Sequence, residues 1–253
     1  MQDERKLLID ICRCPNIKDV LINKNFNNPC FQTVKSQNVD FDNFQVPEPW
    51  SGDITQANIV FLLCNPSISE NENFPTHKNK DEELEDFFIN RHNGNRPGKF
   101  IDGNIVVYAN NKTKVNRTLS EIKKIAEHIF GKKCKPGKDY AQLEITHCKT
   151  LNKLGMSKNS TNECVSKYFL KTIKFIKAKL IVSCGTDSLD TINKKFNLNA
   201  RMHDLIGPID FLNNNQNLKY IAFIGQPGSS IKRTGSEAIN GENLVKIRNL
   251  IKL

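Results

Sequence analysis

Four apolar stretches stand out along the chain: residues 57–64 (ANIVFLLC), 140–147 (YAQLEITH), 178–184 (AKLIVSC) and 218–225 (LKYIAFIG). Largely continuous apolar runs of this length suit central strands of a parallel sheet, which are buried on both faces. The segments between them change period. Leu119, Ile122, Ala126 and Ile129 recur at helical spacing over 115–130, as do Val165, Phe169, Ile173 and Ile176 over 163–177. Ser160 and Glu163 are placed to form a capping box for the second of these. Residues 236–251 predict a closing helix. Alternation of strand and helix defines an α/β chain with a parallel sheet of about four strands. The spacing shows no repeat and no linker, so 1–253 reads as one domain. It has a cysteine-bearing N-terminal segment and a long Asn-rich, proline-punctuated excursion over 24–56. Trp50, the single tryptophan, is expected to pack that excursion down, and residues 65–80 and 91–104 read as loops.

Composition narrows the picture. With 38% hydrophobic residues, the 253-residue chain has enough apolar side chains for a core. No apolar run approaches the roughly 20 residues of a membrane helix. The charged start, MQDERKLLIDI, lacks the features of a secretion signal, so a cytoplasmic location without membrane contact is expected. The net charge of +10, from 37 Lys and Arg against 27 Asp and Glu, favours a polyanionic partner. An AT-rich genome, with its many Lys and Asn codons, accounts for such a surplus equally simply.

In a parallel sheet, ligands bind outside the carboxyl ends of the strands. Those ends carry Cys64-Asn65-Pro66-Ser67 after the first strand and Gly225-Gln226-Pro227-Gly228-Ser229-Ser230 after the fourth, with Lys232 and Arg233 close behind. Small residues in the last loop let the backbone approach a phosphate chain closely. In this order, on these strands, the two loops resemble the signature loops of the uracil-DNA glycosylase superfamily. There, loop one has the form Gly-x-(Asp/Asn)-Pro or Gly-Glu-x-Pro-Gly, and loop two resembles His-Pro-Ser or Asn-Pro-Ser. AKLIVSCG, over 178–185, is similar to the third strand of the bacterial iron–sulfur branch. The resemblance runs from about Asn58 to Gly235 and implies a three-layer α/β/α sandwich.

That branch has a cysteine after the second strand and another on the next helix. Cys148 and Cys164 stand in this relation, with fifteen residues between them. It begins with Cys-x-x-Cys-Pro, where this chain has Cys12-Arg13-Cys14-Pro15, one residue short. The resemblance implies a 4Fe-4S cluster on Cys14, Cys148 and Cys164, with Cys12 or Cys30 as the fourth ligand, zinc being the alternative metal. Cys64 and Cys184 end apolar runs and are expected in the core.

Departures from the family pattern shape the functional expectation. Asn65 stands at the catalytic position, where an amide can place a water but cannot act as a base. Glu70 and Glu72, in the same loop, are candidate carboxylates. Gln226 stands at the motif-two His position and can donate to a departing base without carrying charge. Glu144 falls where the family's uracil-reading Asn sits. Ionised, it offers acceptors only and suits the amino group of cytosine. Phe74 resembles the aromatic that stacks on the flipped base. Ser67 replaces a bulky Tyr and leaves room at the base's 5-position. His147 and Lys149 contact phosphate or cap the strand, while Ser229, Ser230, Lys232 and Arg233 are expected to hold the DNA. The expected activity is excision of a base from DNA by a monomer. The favoured substrate is a 5-modified cytosine, such as the glucosylated hydroxymethylcytosine of some phage DNA, which implies an anti-phage role. A conventional uracil or mismatch glycosylase and a non-catalytic nucleic-acid-binding module are the alternatives.

Overall fold

The computed structural model describes residues 2–68, 71–151, 153–212, 218–229 and 239–251. Three short helices open the chain: α1 (Gln2–Cys12), α2 (Pro15–Leu21) and α3 (Phe31–Lys35). The excursion then ends in a two-residue edge strand, β1 (Trp50–Ser51), before the first long strand, β2 (Ile59–Leu63). Helix α4 (Asp81–Ile89) leads to a small antiparallel meander of β3 (Phe100–Ile101), β4 (Ile105–Val107) and β5 (Thr113–Val115). Helix α5 (Arg117–Phe130) follows. Its start is fixed by the Asn116 side chain, which accepts from the Leu119 amide at 3.0 Å, and its end by Gly131 in the left-handed conformation.

Strand β6 (Tyr140–Glu144) is followed by a continuous helical passage. It runs from α6 (Lys158–Cys164) through a π-helical turn at Val165–Phe169 into α7 (Leu170–Ile173). The helix starts earlier than the sequence suggests. Ser157, not Ser160, is the N-cap, and Ser160 closes the reciprocal capping box by accepting from the Ser157 amide. Strand β7 (Leu180–Cys184), helix α8 (Thr186–Phe196), strands β8 (Leu205–Asp210) and β9 (Leu218–Ile224), and helix α9 (Gly241–Leu250) complete the chain.

The main sheet has six strands in the order β1-β6-β2-β7-β9-β8. The central four, β6, β2, β7 and β9, are the four apolar runs, and they are parallel. The two edge strands, β1 and β8, are antiparallel to their neighbours and too short or too polar to announce themselves. Alternation along the strands separates two apolar layers. Val60 and Leu62 face α1–α4 and α6–α8, whereas Ile59, Phe61 and Leu63 face α5 and α9. The result is helices on both faces of a mostly parallel sheet. Trp50 is fully buried and pairs with Leu143 on β6, so the excursion is part of the sheet edge. Among the described residues, no helix is long and apolar enough to cross a membrane.

Candidate functional site

Beyond its last ladder residue, β2 stays zipped to the chain after β6. Ile145 donates to the Leu63 carbonyl and Thr146 to that of Cys64, both at 2.9 Å. Thr150 then donates to the Pro66 carbonyl, and Ile68 to that of Thr150, both at 3.1 Å. Asn65 sits inside this zipper. Its amide nitrogen donates to the Cys148 carbonyl at 2.7 Å, and its amide oxygen accepts from the Thr150 hydroxyl at 3.0 Å. Each end of the amide keeps one further hydrogen-bonding capacity, enough to hold a water.

Outside the carboxyl ends of β2, β6 and β9 lies a cavity of about 270 Å³. Asn65 and Ser67 from the β2 end, Glu144 from β6 and Gln226 from the β9 end all line it. The small meander and the start of α5 add Tyr108, Asn116 and Thr118 to its lining. The four residues come from three distant stretches of chain and meet in one place. Gly185 makes room for one of them. It adopts φ +88° at the start of α8, and a Cβ there would lie 2.7 Å from the Gln226 Oε1.

Two walls of this cavity differ in charge. On one side, Arg91 is almost fully enclosed and bridges two carboxylates. One of its terminal nitrogens pairs with Glu48 and the other with Glu72, the latter at 2.5 Å. Lys149, also fully buried, donates to Glu72 at 3.3 Å. Burial alone would raise the Glu48 carboxyl, but Arg91 and Lys149 beside it hold it below the usual carboxylate range. Burial likewise works against the Arg91 charge, and Glu48 and Glu72 outweigh it. For Lys149, burial prevails and its pKa is lowered. On the other side, Gln142 and Glu144 project from the same face of β6, two residues apart, and have no such partners. The Gln142 Nε2 and the Glu144 Oε2 are buried without a hydrogen bond. Glu144 is 7% exposed. Burial, then the nearby Glu48, push its carboxyl well above the ordinary value, against the weaker pull of Lys149 and Arg91. In its protonated form such a carboxyl offers a donor as well as an acceptor. Burial thus works against the ionised form expected from sequence.

Other expected site residues lie elsewhere. Phe74 is not among the side chains lining the cavity. It packs edge-on against Phe87 and Phe88, with the Lys149 ammonium 3.6 Å above its ring and Arg91 5.0 Å away. The aromatic ring supports the cations. His147 is buried, shares its Nδ1 with the Glu48 carbonyl at 2.8 Å, and is pushed down to about 4 by burial. With Lys149 inside the ion-pair network, neither residue is placed to meet phosphate. The backbone of Ser229 accepts from Arg117 at 3.4 Å, and its hydroxyl is buried without a partner. Glu70, Ser230, Lys232 and Arg233 lie outside the described residues.

The metal expectation is overturned. Among the described residues, no group of three or more His, Cys, Asp or Glu side chains is placed to hold a metal ion. Cys12, Cys14, Cys30, Cys148 and Cys164 are all buried and free of disulfides. Metal ligation needs thiolates. Burial, then Cys164, Cys14 and Cys30 nearby, push the Cys148 thiol well up, and burial raises Cys164 likewise. Cys30 is pushed up to about 11, chiefly by burial. Burial raises the Cys12 thiol, and the charges acting on it after burial are those of Arg13, Asp81 and Glu48. Neither a 4Fe-4S cluster nor zinc fits these residues as placed.

Glu48, Arg91 and Gln142 are site residues that the linear reading passes over. For Gln142 and Glu144 a signal exists: two polar positions at period two inside the otherwise apolar strand YAQLE put both on one face. Glu48 and Arg91 lie 43 positions apart and carry no local signal. No family model matches the chain, and it matches no curated protein. The resemblance to the glycosylase superfamily rests on the loops and their order.

Proposed function

We propose that this chain is a DNA glycosylase that takes an extruded base into the cavity at the carboxyl ends of β2, β6 and β9 and hydrolyses its N-glycosidic bond. The observation that carries this reading is the convergence of Asn65, Ser67, Glu144 and Gln226 on one cavity. Asn65 holds the attacking water with its remaining hydrogen-bond capacity, and Gln226 donates to the departing base. Glu144, as a neutral acid, pairs with a base edge through one acceptor and one donor. Cytosine offers its N4 amino group to the carbonyl and its N3 to the hydroxyl. Uracil offers its N3–H and O4 in the same way.

The small Ser67 and the hydroxyl- and amide-bearing wall of Tyr108, Asn116 and Thr118 favour a cytosine with a polar 5-substituent, such as glucosylated hydroxymethylcytosine. A cytoplasmic monomer acting against modified phage DNA follows from that choice. Ser229, Ser230, Lys232 and Arg233 hold phosphate, with the surplus positive charge drawing the duplex in. The test is a panel of duplexes carrying glucosylated hydroxymethylcytosine, unmodified cytosine or uracil, treated with alkali to reveal abasic sites. Cleavage at the modified cytosine supports the reading, cleavage of the uracil duplex alone makes this a conventional uracil enzyme, and cleavage of none refutes it.

A second reading is favoured by the tie of Asn65 to Cys148 and Thr150. An amide committed to structure, with no carboxylate at its position, also suits a nucleic-acid-binding module without catalysis. Duplex binding without abasic sites on any member of the panel identifies that case.

A further inference from the structure

We propose that Glu144 is the general acid of the reaction, giving its proton to the base as the base leaves; this rests on the glycosylase reading. The geometry comes first. Glu144 ends β6 on the lining of the cavity, nine-tenths buried, with Oε2 unpartnered. Of the three carboxyl groups that line the cavity among the described residues, Glu48 and Glu72 are committed to Arg91 and Lys149. The third lining cation, Lys153, pairs with Asp187, and among the described residues no cation forms an ion pair with Glu144. Asn65 and Gln226 carry no proton that they can release. A departing base needs its negative charge neutralised, and a positioned acid of raised pKa supplies this.

The step balances as follows. The C1′–N1 bond breaks and its electron pair passes into the ring. The Oε2 proton moves to the ring acceptor hydrogen-bonded to it, N3 in a cytosine, and the base leaves neutral. Glu144 becomes a carboxylate. The water at Asn65 bonds to C1′ and releases a proton to solvent, and Glu144 regains one from solvent.

Among the described residues, charged and titratable groups reach the surroundings of Glu144 from several elements, including Lys153, which pairs with Asp187. Glu48 lies on the excursion, Cys64 at the end of β2, Arg91 after α4, Lys149 after β6 and Cys184 at the end of β7. The two thiols are raised by burial and stay neutral beside it.

The experiment measures single-turnover excision by the full chain on the glucosylated hydroxymethylcytosine and uracil duplexes, for the wild type and Glu144→Gln. Gln keeps the size and a hydrogen-bonding pair but has no acidic proton. The expected result is a rate lower by about 100-fold or more, with duplex affinity within about threefold of wild type. The wild-type rate is also expected to fall about tenfold per pH unit above the Glu144 pKa, and Glu144→Gln to lack that limb. A variant within about threefold of wild type, or one sharing the same alkaline limb, overturns the proposal. If Glu144→Gln fails to fold, the wild-type profile decides alone: a rate flat from about pH 5 to 10 overturns it. Absence of abasic sites with the wild type on both duplexes is a different failure, which removes the glycosylase reading itself.

Discussion

The two sides of the cavity enclose carboxyl groups equally well and treat them in opposite ways. Glu48 sits against Arg91 and is held as a carboxylate. Glu144 has no direct ion-pair partner among the described residues, and its carboxyl is pushed well above the ordinary value. Burial penalises charge on both. What differs is whether a cation stands within direct contact, and that decides which group carries charge and which keeps a proton to give. One side is thus a structural clamp that ties the excursion, the loop after β2 and the segment after α4 together. The other is free to meet a ligand.

The largest expected effect tests the clamp. Arg91→Met removes the guanidinium and leaves Glu48 and Glu72 enclosed with only Lys149 between them. Breaking a buried pair by removing one partner costs about 3–5 kcal/mol. Urea unfolding at pH 7 measures it. A loss below about 1 kcal/mol would mean that the carboxylates find water or protons readily, and the contrast between the two sides would collapse.

The next effect tests the sign on each side. Because folding raises the Glu144 pKa, the unfolded chain releases this proton first as pH rises. Stability from this group is therefore full below its ordinary value of 4.5 and declines as pH climbs toward the folded pKa. Glu144→Gln lacks this decline, so its advantage over wild type should grow by about 1.4 kcal/mol per pH unit through that window. Glu48 runs the other way. Its folded pKa is lowered, so its contribution is present above 4.5 and lost as pH falls through the folded value. Glu48→Gln should accordingly be most damaging at neutral pH, with the gap closing in acid. Parallel stability curves for the wild type and Glu144→Gln between about pH 4 and 8 would show that Glu144 ionises normally.

The same contrast explains what was legible in the sequence. The four central strands announce themselves because burial on both faces demands unbroken apolar runs, and Asn65 and Gln226 are found because they directly follow such runs. The loops after β2 and β9 therefore place correctly at one end of the sheet. The edge strands are not legible: Trp50–Ser51 is too short to show a period, and Leu205–Asp210 carries a proline and exposed positions. The clamp is illegible for a different reason. Glu48, Glu72, Arg91 and Lys149 are ordinary charged residues of loops until folding gathers them, and nothing local distinguishes a buried Glu from a solvated one. Phe74 resembles a base-stacking aromatic in sequence, yet its ring packs against Lys149 and two phenylalanines. Cys148 and Cys164 keep an interval that resembles a metal-binding branch, but no group among the described residues is placed to hold a metal, and burial raises both thiols.

A smaller effect probes the link between clamp and core. Phe74→Leu removes the ring beneath Lys149 and the edge contacts to Phe87 and Phe88, which should cost about 1–2 kcal/mol in urea unfolding. The cost should shrink in the background of Lys149→Met, since the cation is then absent. Equal costs in both backgrounds would show that the ring acts by packing alone and is no part of the charged side.

The smallest expected change in stability falls on the open side, and separates stability from function there. Gly185→Ala places a side chain at φ +88°, which strains the backbone by about 1 kcal/mol. Its Cβ would meet the Gln226 Oε1 at 2.7 Å, but that atom is the far end of a flexible, exposed side chain and can swing aside at little further cost. Stability should therefore drop only slightly in thermal unfolding, while Gln226 is driven from its place on the cavity wall. If Gln226 donates to a departing base, excision should fall by about tenfold or more, as for Gln226→Ala, and the double variant should be no worse than either alone. Additive losses would place Gln226 outside the reacting geometry and leave Glu144 to act on the base without it.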